Sequence, residues 1–437
     1  MKYIYIIVLG TMLLFSACES DLDQFPPNIA SSNSLTDFGG VLNAAYFYQH
    51  AGITPIAVMG DFRSDNAFMD ESPFTEFDAF NPNLTVMEDQ FFGPFYTGMY
   101  KSILSANSVI TNSTDPVEVG EAQFLRGLSY FKLVKVFGEV PLNLEATPSV
   151  TDSTILVRQS VDAIYTQVIN DFTAAIAALP VTNSNGRAGS LAAQGMLGKV
   201  YMQRGNTSSA EPLLAAVVNG AGAAGFMLQE DYNNIFGADN DLNEEIIYAT
   251  QVSSSIADEY GFSEFWSWSG GLDTKSLLPL DQSLIDAFDA SEADGETDLR
   301  RAITIDETLR ASPKFPQTGG PDHDWIELRL ADAILLYAEA LNENGNTSAA
   351  IDQLNTIRNR AGLSDTSASS QEEVRTAIAN DRRLELAFEG QRWFDLVRTG
   401  TVDAAVGQAV NSDFLLFPIP VSEVLASFGV ITQNDGY

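Results

Sequence analysis

Cysteine is almost absent from this chain of 437 residues, with Cys18 standing alone. No internal disulfide can form, and no cysteine cluster can hold a metal. Histidine is nearly as scarce. His50 and His323 lie far apart and neither belongs to an HExxH-type motif, so both read as surface or loop residues rather than ligands. Basic residues are also few, 23 Lys and Arg against 58 Asp and Glu, for a net charge of −35. Such a balance argues against nucleic acid, whose phosphates need Lys and Arg. It argues equally against docking on an anionic membrane through a basic patch. It suits a body that must stay dispersed beside other proteins, and a neutral ligand better than a polyanion.

The N-terminus explains the single cysteine. After Lys2 the run YIYIIVLGTMLLF is too short to span a bilayer securely, and it stands where a signal peptide stands. Small Ser16 and Ala17 precede Cys18, and Phe-Ser-Ala-Cys resembles a lipobox, with Phe15 in place of the usual Leu. Cleavage there leaves an N-terminal Cys18 that carries lipid and attaches the chain to a membrane. A buried free cysteine, the other reading, does not account for its position against an export signal. Residues 1–17 are therefore read as a lipoprotein signal peptide and 18–33 as a lipidated tether, Pro/Asn/Ser-rich from 24 onward. Residues 34–437 are read as the folded domain. Removing residues 1–17 takes away Lys2 and no acid, so the mature charge is −36.

Apolar residues make up 45% of the chain, ample for a large core. Their spacing is mostly helical. Leu328, Ala331, Leu335, Ala338 and Leu341 form one stripe, Ala350, Leu354, Ile357 and Ala361 another. Gly345 between them is a natural C′ residue, and Asn346 or Thr347 can cap the second helix. The same Gly-Asn-Thr-Ser turn recurs at 205–208 between Ala-rich helices, which predicts a tetratricopeptide-like repeat of helical hairpins. Further helices are predicted at 35–49, within 121–142 where Gly138 and Pro141 stop it, and at 159–179, the last capped by Ser160 and ended by Pro180. Ser370 and Glu373 predict a capping box for another helix. It runs into RRLELAFEGQRWFDLVRTG, where Arg382, Glu385, Glu389, Arg392, Asp395 and Arg398 can pair along a helix face, with Gly390 weakening the helix.

From Glu245 the pattern changes. Ile246–Ala249 is strand-like, and the stretch EYGFSEFWSWSGGLDTKSLLPL is the least helical in the chain. Leu284, Ile285 and Phe288 then mark a short helix, and 310–326 is Pro/Gly-rich. The region 244–326 thus predicts a loop-rich, partly β insertion in a mainly α scaffold, the kind of place where function resides. Within it Trp266 and Trp268 alternate with serines and point the same way if extended, with Tyr260 and Phe265 near. Trp325 and Trp393 lie in structural segments and read as core. The run DASEADGETD at 289–298 fails as a calcium loop, because Gly295 is misplaced and Ala293 has no ligating side chain. No metal or cofactor is implied.

RLADAILLYAEALNE, NTIRNRAGL, RRLELAFEGQRWFDLVRTG and the terminal FPIPVSEV…TQNDGY resemble the SusD/RagB family. The resemblance extends to EAQFLRGLSYFKLVKVFGEVPL, to Gln90–Thr111 and to DGETDLRRAITI, nearly the whole mature chain. It implies a nutrient-binding lipoprotein at the outer membrane of Bacteroidetes-type bacteria, partnered with a TonB-dependent (SusC-like) transporter and not catalytic. Glu19, Asp21 and Asp23 resemble the acidic stretch that marks surface-exposed lipoproteins in such bacteria. In the family, loop aromatics hold the ligand, which here points to Trp266, Trp268, Tyr260 and Phe265. A rigid aromatic face can stack on the apolar face of a sugar ring, with amides and carboxylates bonding its hydroxyls. Asp61, Asp65, Asn66 and Phe68 are further candidates by the same resemblance, although Gly60–Asn66 also reads as a plain turn carrying N-cap residues. Two other functions stay open. A glycoside hydrolase needs two carboxylates flanking a sugar, and Glu264 sits beside the Trp pair, yet no motif singles out a partner. A helical scaffold that binds only proteins fits the hairpins equally.

Overall fold

In the computed structural model, residues 37–68, 72–149, 151–252, 280–308, 312–315 and 323–437 are described. Helix α1 (Gly39–Phe47) buries Leu42 and Ala45 completely, as their spacing predicts. It passes into a 3₁₀ turn at Tyr48–Gly52 instead of continuing as α-helix to residue 49. Helices α2 (Gly93–Asn112) and α3 (Pro116–Phe137) follow. α3 starts earlier than its apolar stripe suggests, because Asp115 accepts from Val117 N at 2.8 Å and Pro116 presets the first turn. α4 (Val161–Ala178) begins at Ser160, whose side chain accepts from Ala163 N. α5 (Ser190–Gln203) and α6 (Thr207–Gly220) make one hairpin, α8 (Leu330–Glu343) and α9 (Thr347–Arg360) another. Between them in sequence lies α7 (Gln282–Ser291), with Leu284, Ile285 and Phe288 buried.

Each helix packs on the next from α2 to α6, and α6 then packs directly on α8. The scaffold therefore closes across everything between Gly220 and Leu330, which is an excursion from it. The two hairpins share a seam of Met202, Ala210, Leu214, Leu336 and Ala340, flanked by Tyr201 and Tyr337. Burying each large apolar side chain there contributes ~1.5–3 kcal/mol. The repeated turns meet as well. Gly205 and Gly345 hold φ of +68° and +88°, and Thr207 Oγ1 donates to Asn344 Oδ1 at 2.7 Å. Asn206 caps α6 through Ser209 N, but Asn346 makes no side-chain cap bond. In its place Thr347 Oγ1 donates to Asn342 Oδ1 at 3.0 Å.

The β content is small. Val140–Pro141 (β1) pairs antiparallel with Arg158–Gln159 (β2). Ile246–Thr250 (β3) pairs antiparallel with Trp325–Arg329 (β4), Thr250 opposite Trp325 and Ile246 opposite Arg329, all buried. This ladder zips together the outgoing and returning ends of the excursion. Among the described residues no helix is long and apolar enough to cross a membrane.

α10 (Gln371–Leu386) starts with the predicted capping box of Ser370 and Glu373. It does not continue through Gly390. Phe388 and Gly390 take φ of +67° and +69°, and a new helix, α11 (Arg392–Thr399), starts beyond. The break lets the chain touch Gly60, where a Cβ would lie 2.3 Å from the Gly390 carbonyl. Trp325 and Trp393 are core, as expected. Phe80 stacks on Trp393 at 5.8 Å, and the Arg63 guanidinium lies over Phe80, Trp393 and Phe417. The histidines depart from expectation. His50 and His323 are both buried, because each is packed under the excursion's root and not on the surface.

The Gly60–Gly390 contact makes a direct comparison possible. Gly60→Ala should destabilise the protein by ~3 kcal/mol or more, because backbone on both sides must shift. Gly40→Ala, in a helix with nothing within 4 Å, should be neutral or gain ~0.5 kcal/mol. Urea denaturation of the two variants checks this, and equal effects would show that the contact is not tight.

Candidate ligand-binding cleft

A dense group of buried ionisable residues lies where β4 meets α10. The Arg329 guanidinium binds Glu245 and Glu385 through Nη1, at 2.7 and 2.6 Å, and Glu389 through Nε at 2.8 Å. Arg360 binds Glu245 and Glu385 from α9, and Tyr232 OH donates to Glu385 at 2.9 Å. Lys314 donates to Glu389 at 2.7 Å. A second group runs from Lys199 on α5 to Asp332 on α8, and on through Arg382 to Asp395. These residues were expected to pair along one helix face. Only Asp395 and Arg398 do so. The others reach across to different elements, because the chain breaks at Gly390 and α10 is buried on several sides.

Every acid in these groups is committed. Burial alone would raise Glu385, Glu389, Asp332 and Asp395, but the guanidinium and ammonium groups around them hold all four below the usual carboxylate range. A glycosidase pair needs one acid that keeps its proton near neutrality, and none of these four does.

Asp61, Asp65 and Asn66 were candidates for ligand contact, and the structure gives them other work. Asp61 is fully buried and accepts from Phe388 N and Gly390 N at 3.0 and 2.7 Å, stitching the α10–α11 break. Burial pushes its carboxyl up to about 6, although Asn66 and those two amides hold it down. Asp65 is clasped by Arg392 at 2.7 and 2.8 Å and paired with Arg383 at 3.2 Å. Asn66 donates to Asp61 and accepts from Arg383 Nε at 3.0 Å. With these bonds made and the side chains buried, all three act as structural links. Phe68 differs. It is half-buried and follows Ala67, which forms a β-bridge with Leu280. Trp266, Trp268, Tyr260 and Phe265 lie outside the described residues.

A cleft at the root of that stretch, where the chain leaves the described residues after Val252, is built by three elements. α1 and the turn after it supply Asn43, Phe47 and His50, the loop at 185–187 supplies Arg187, and the end of β3 supplies Thr250, Gln251 and Val252, with Asp324 opposite. Its volume is about 550 Å³, within the range of small-ligand sites. Polar groups fix its walls. His50 Nε2 donates to Gln251 O at 2.5 Å, and Val252 N donates to Asp324 Oδ1 at 2.9 Å. Arg187 lies over the Tyr46 ring, binds Glu121 at 2.9 Å and reaches Asn43. Tyr46 OH donates to Glu121 at 2.6 Å, and burial pushes that hydroxyl well above its usual value, so it stays a neutral donor. Gly186 leaves room for Gln251, whose Nε2 would lie 2.2 Å from a Cβ there. Phe47 is half-buried and held between Tyr48 and His50, at 5.6 and 5.3 Å.

The position of this cleft matters as much as its lining. The chain leaves the described region directly after Val252, on the cleft wall, and returns at Leu280, on Ala67. The aromatic-rich stretch 253–279 is thus rooted at the cleft at one end and beside Phe68 at the other. Asn43, Phe47, Arg187 and Gln251 carry no sequence signal of a site. They come from three separate places in the chain, α1, the 185–187 loop and the end of β3, and meet only through packing.

The fold is a mainly helical scaffold of packed hairpins with an excursion between Gly220 and Leu330, and the comparisons agree. The SusD family profile matches residues 299–437, and a profile described as starch-binding, associating with outer membrane, matches 17–202. A SusD-like protein P2 of Formosa agariphila is 25% identical over 100% of this chain and 99% of its own length. The starch-binding protein SusD of Bacteroides thetaiotaomicron is 23% identical over 77% of this chain and 76% of its own. A solved laminarin-binding SusD-like protein superposes with a TM-score of 0.70 at 25% identity, covering 92% of this chain and 99% of that one. The chain belongs to the SusD/RagB family.

The ion-pair groups set the acid response. Carboxylates held below their unfolded values of ~4 contribute stability that is fully present above that pH. It is lost as pH falls through the lower folded values. The urea midpoint should therefore fall steeply below pH ~4. Asp61 works in the opposite sense, since its native form takes up a proton first: its contribution grows as pH falls from about 6 towards the unfolded value near 3.8 and is fully present below that value. Glu385→Gln should cost ~3–5 kcal/mol at neutral pH by leaving buried guanidinium charge unmatched, and should flatten the acid limb. An unchanged acid limb in that variant would show that Glu385 does not carry it.

Proposed function

We propose that this protein is a non-catalytic glycan-binding lipoprotein at the outer membrane, which captures an oligosaccharide and delivers it to a TonB-dependent transporter. The observation that carries this reading is the rooting of the aromatic-rich stretch on a preformed cleft of suitable chemistry. Amides, carboxylates and a fixed guanidinium line it, and Phe47 offers a ring. Such groups bond hydroxyls in a geometry set before the ligand arrives, which lowers the ordering cost. Trp266 and Trp268 are assigned the stacking faces in this reading, with Tyr260, Phe265 and Phe68 as further candidate contacts. The region 244–326 is then the ligand-binding subdomain, and the helical hairpins are the scaffold that also faces the protein partner. Starch and laminarin binding by relatives of this fold supports the substrate class.

Lipid on Cys18 places the protein on the membrane, with residues 18–33 as the tether between the lipid and the domain. Hydrolysis is the weaker reading, since the acids described around α10 are pinned by cations and Glu264 has no identified partner. A scaffold without a small ligand is weaker too, because it leaves the cleft without a role.

Changing Trp266 and Trp268 together to Ala should abolish binding of starch- and laminarin-type glucans in calorimetry while leaving the melting temperature nearly unchanged. A large loss of stability would identify these rings as packing. Product release from glucans by the unmodified protein would overturn the non-catalytic reading. Cys18→Ala should move the protein out of the membrane fraction, and continued palmitate labelling of that variant would rule out the anchor.

A further inference from the structure

A cavity of about 630 Å³ lies elsewhere on the scaffold, between α8, α10, α11 and α12 (Val402–Val406). Its floor is aliphatic, from Ile378, Ala379, Leu396, Ala404 and Ala405, and no aromatic side chain lines it among the described residues. It is not a sugar-stacking surface. In a chain of net charge −35, five of the sixteen arginines line this one groove.

The carboxylates on its walls are already bound. Glu339 and Asp395 pair with Arg398, and Glu343 and Glu372 pair with Arg375. The guanidinium groups are not exhausted. Arg392 uses Nε and Nη2 on Asp65, and Arg383 uses Nε and Nη2 on Asn66, Asp65 and Ser283. Nη1 of each has no partner among the described residues, yet neither atom is sealed from solvent. Both side chains grip the same Asp65 carboxylate, so their guanidinium groups are held close together before any ligand arrives. Burial draws Arg383 down to about 10, which leaves it charged at neutral pH.

We infer that this groove binds a small organic anion, a carboxylate on an aliphatic body. The carboxylate accepts from Nη1 of Arg383 and of Arg392, and the aliphatic body lies on Ile378 and Leu396. Pre-oriented guanidinium groups are the strongest carboxylate receptors among side chains. The protein's overall negative field opposes an anion, but at physiological salt it is screened beyond ~8 Å, so the local donors decide.

Calorimetry on the mature chain with hexanoate, hexanol and sulfate tests the inference. Hexanoate should bind saturably, roughly tenfold or more tighter than hexanol, the worth of one charge-assisted hydrogen bond, and more weakly as salt is raised. Ala405→Phe fills the groove without touching an ion pair, and should lower hexanoate affinity at least as much, with the melting temperature and glucan binding unchanged. Arg392→Lys, which keeps the charge on Asp65 but loses the fork, should weaken hexanoate less than Ala405→Phe does. No saturable hexanoate binding, equal binding of hexanol, or full hexanoate affinity in Ala405→Phe would each overturn the inference. Sulfate binding as tightly as hexanoate would show a bare anion site and refute the aliphatic part.

Discussion

One buried guanidinium joins the two halves of this architecture. Arg329 closes β4, at the point where the chain comes back from the excursion and enters α8. Its three carboxylate partners are Glu245 just before β3, Glu385 on α10 and Glu389 in the break that follows α10. Taking such ions out of water costs several kcal/mol each, and the cost is offset only where pairing is complete. Completeness requires the excursion's root, the second hairpin and the C-terminal helices to be in place together. The same physics explains why these acids are not reactive. A carboxylate surrounded by fixed cations is a poor proton donor near neutrality, whatever its density in the sequence suggests.

Both ends of the excursion's undescribed stretch are paired to the scaffold. The β3–β4 ladder and the Ala67–Leu280 bridge hold both ends of the aromatic-rich stretch on the scaffold. A binding loop mounted on fixed ends spends less entropy when its ligand arrives. Asp61, Asp65 and Asn66 brace this frame. They tie the segment leading to Phe68 onto the break between α10 and α11, where Gly60 and Gly390 approach so closely that neither tolerates a side chain.

Much of the scaffold was legible in the sequence because helices are local objects. The apolar stripes, the Gly-Asn-Thr-Ser turns, the Ser160 cap and the Ser370–Glu373 box act over a few residues. Trp325 and Trp393 were read correctly as core for the same reason, as parts of strongly patterned segments. The charge pattern in RRLELAFEGQRW was legible as an ion-pair system but not in its wiring. Spacing of three and four suggests partners on one helix, and the partners lie on β4, α8, α9 and the Asp61–Asn66 segment. The two histidines misled in a similar way, since a lone histidine carries no local sign of burial.

What the sequence by itself determined was the class of fold, the position of the excursion and the kind of chemistry available there. Those follow from periodicity, capping and composition, which are short-range. Only the tertiary structure decided that Asn43, Phe47, Arg187 and Gln251 share a cleft, that Asp65 holds two arginines together, and that Arg329 links three segments. Such sites are made by residues distant in the chain, brought together because burial of charge and of apolar surface must be satisfied at once, and no local pattern records that.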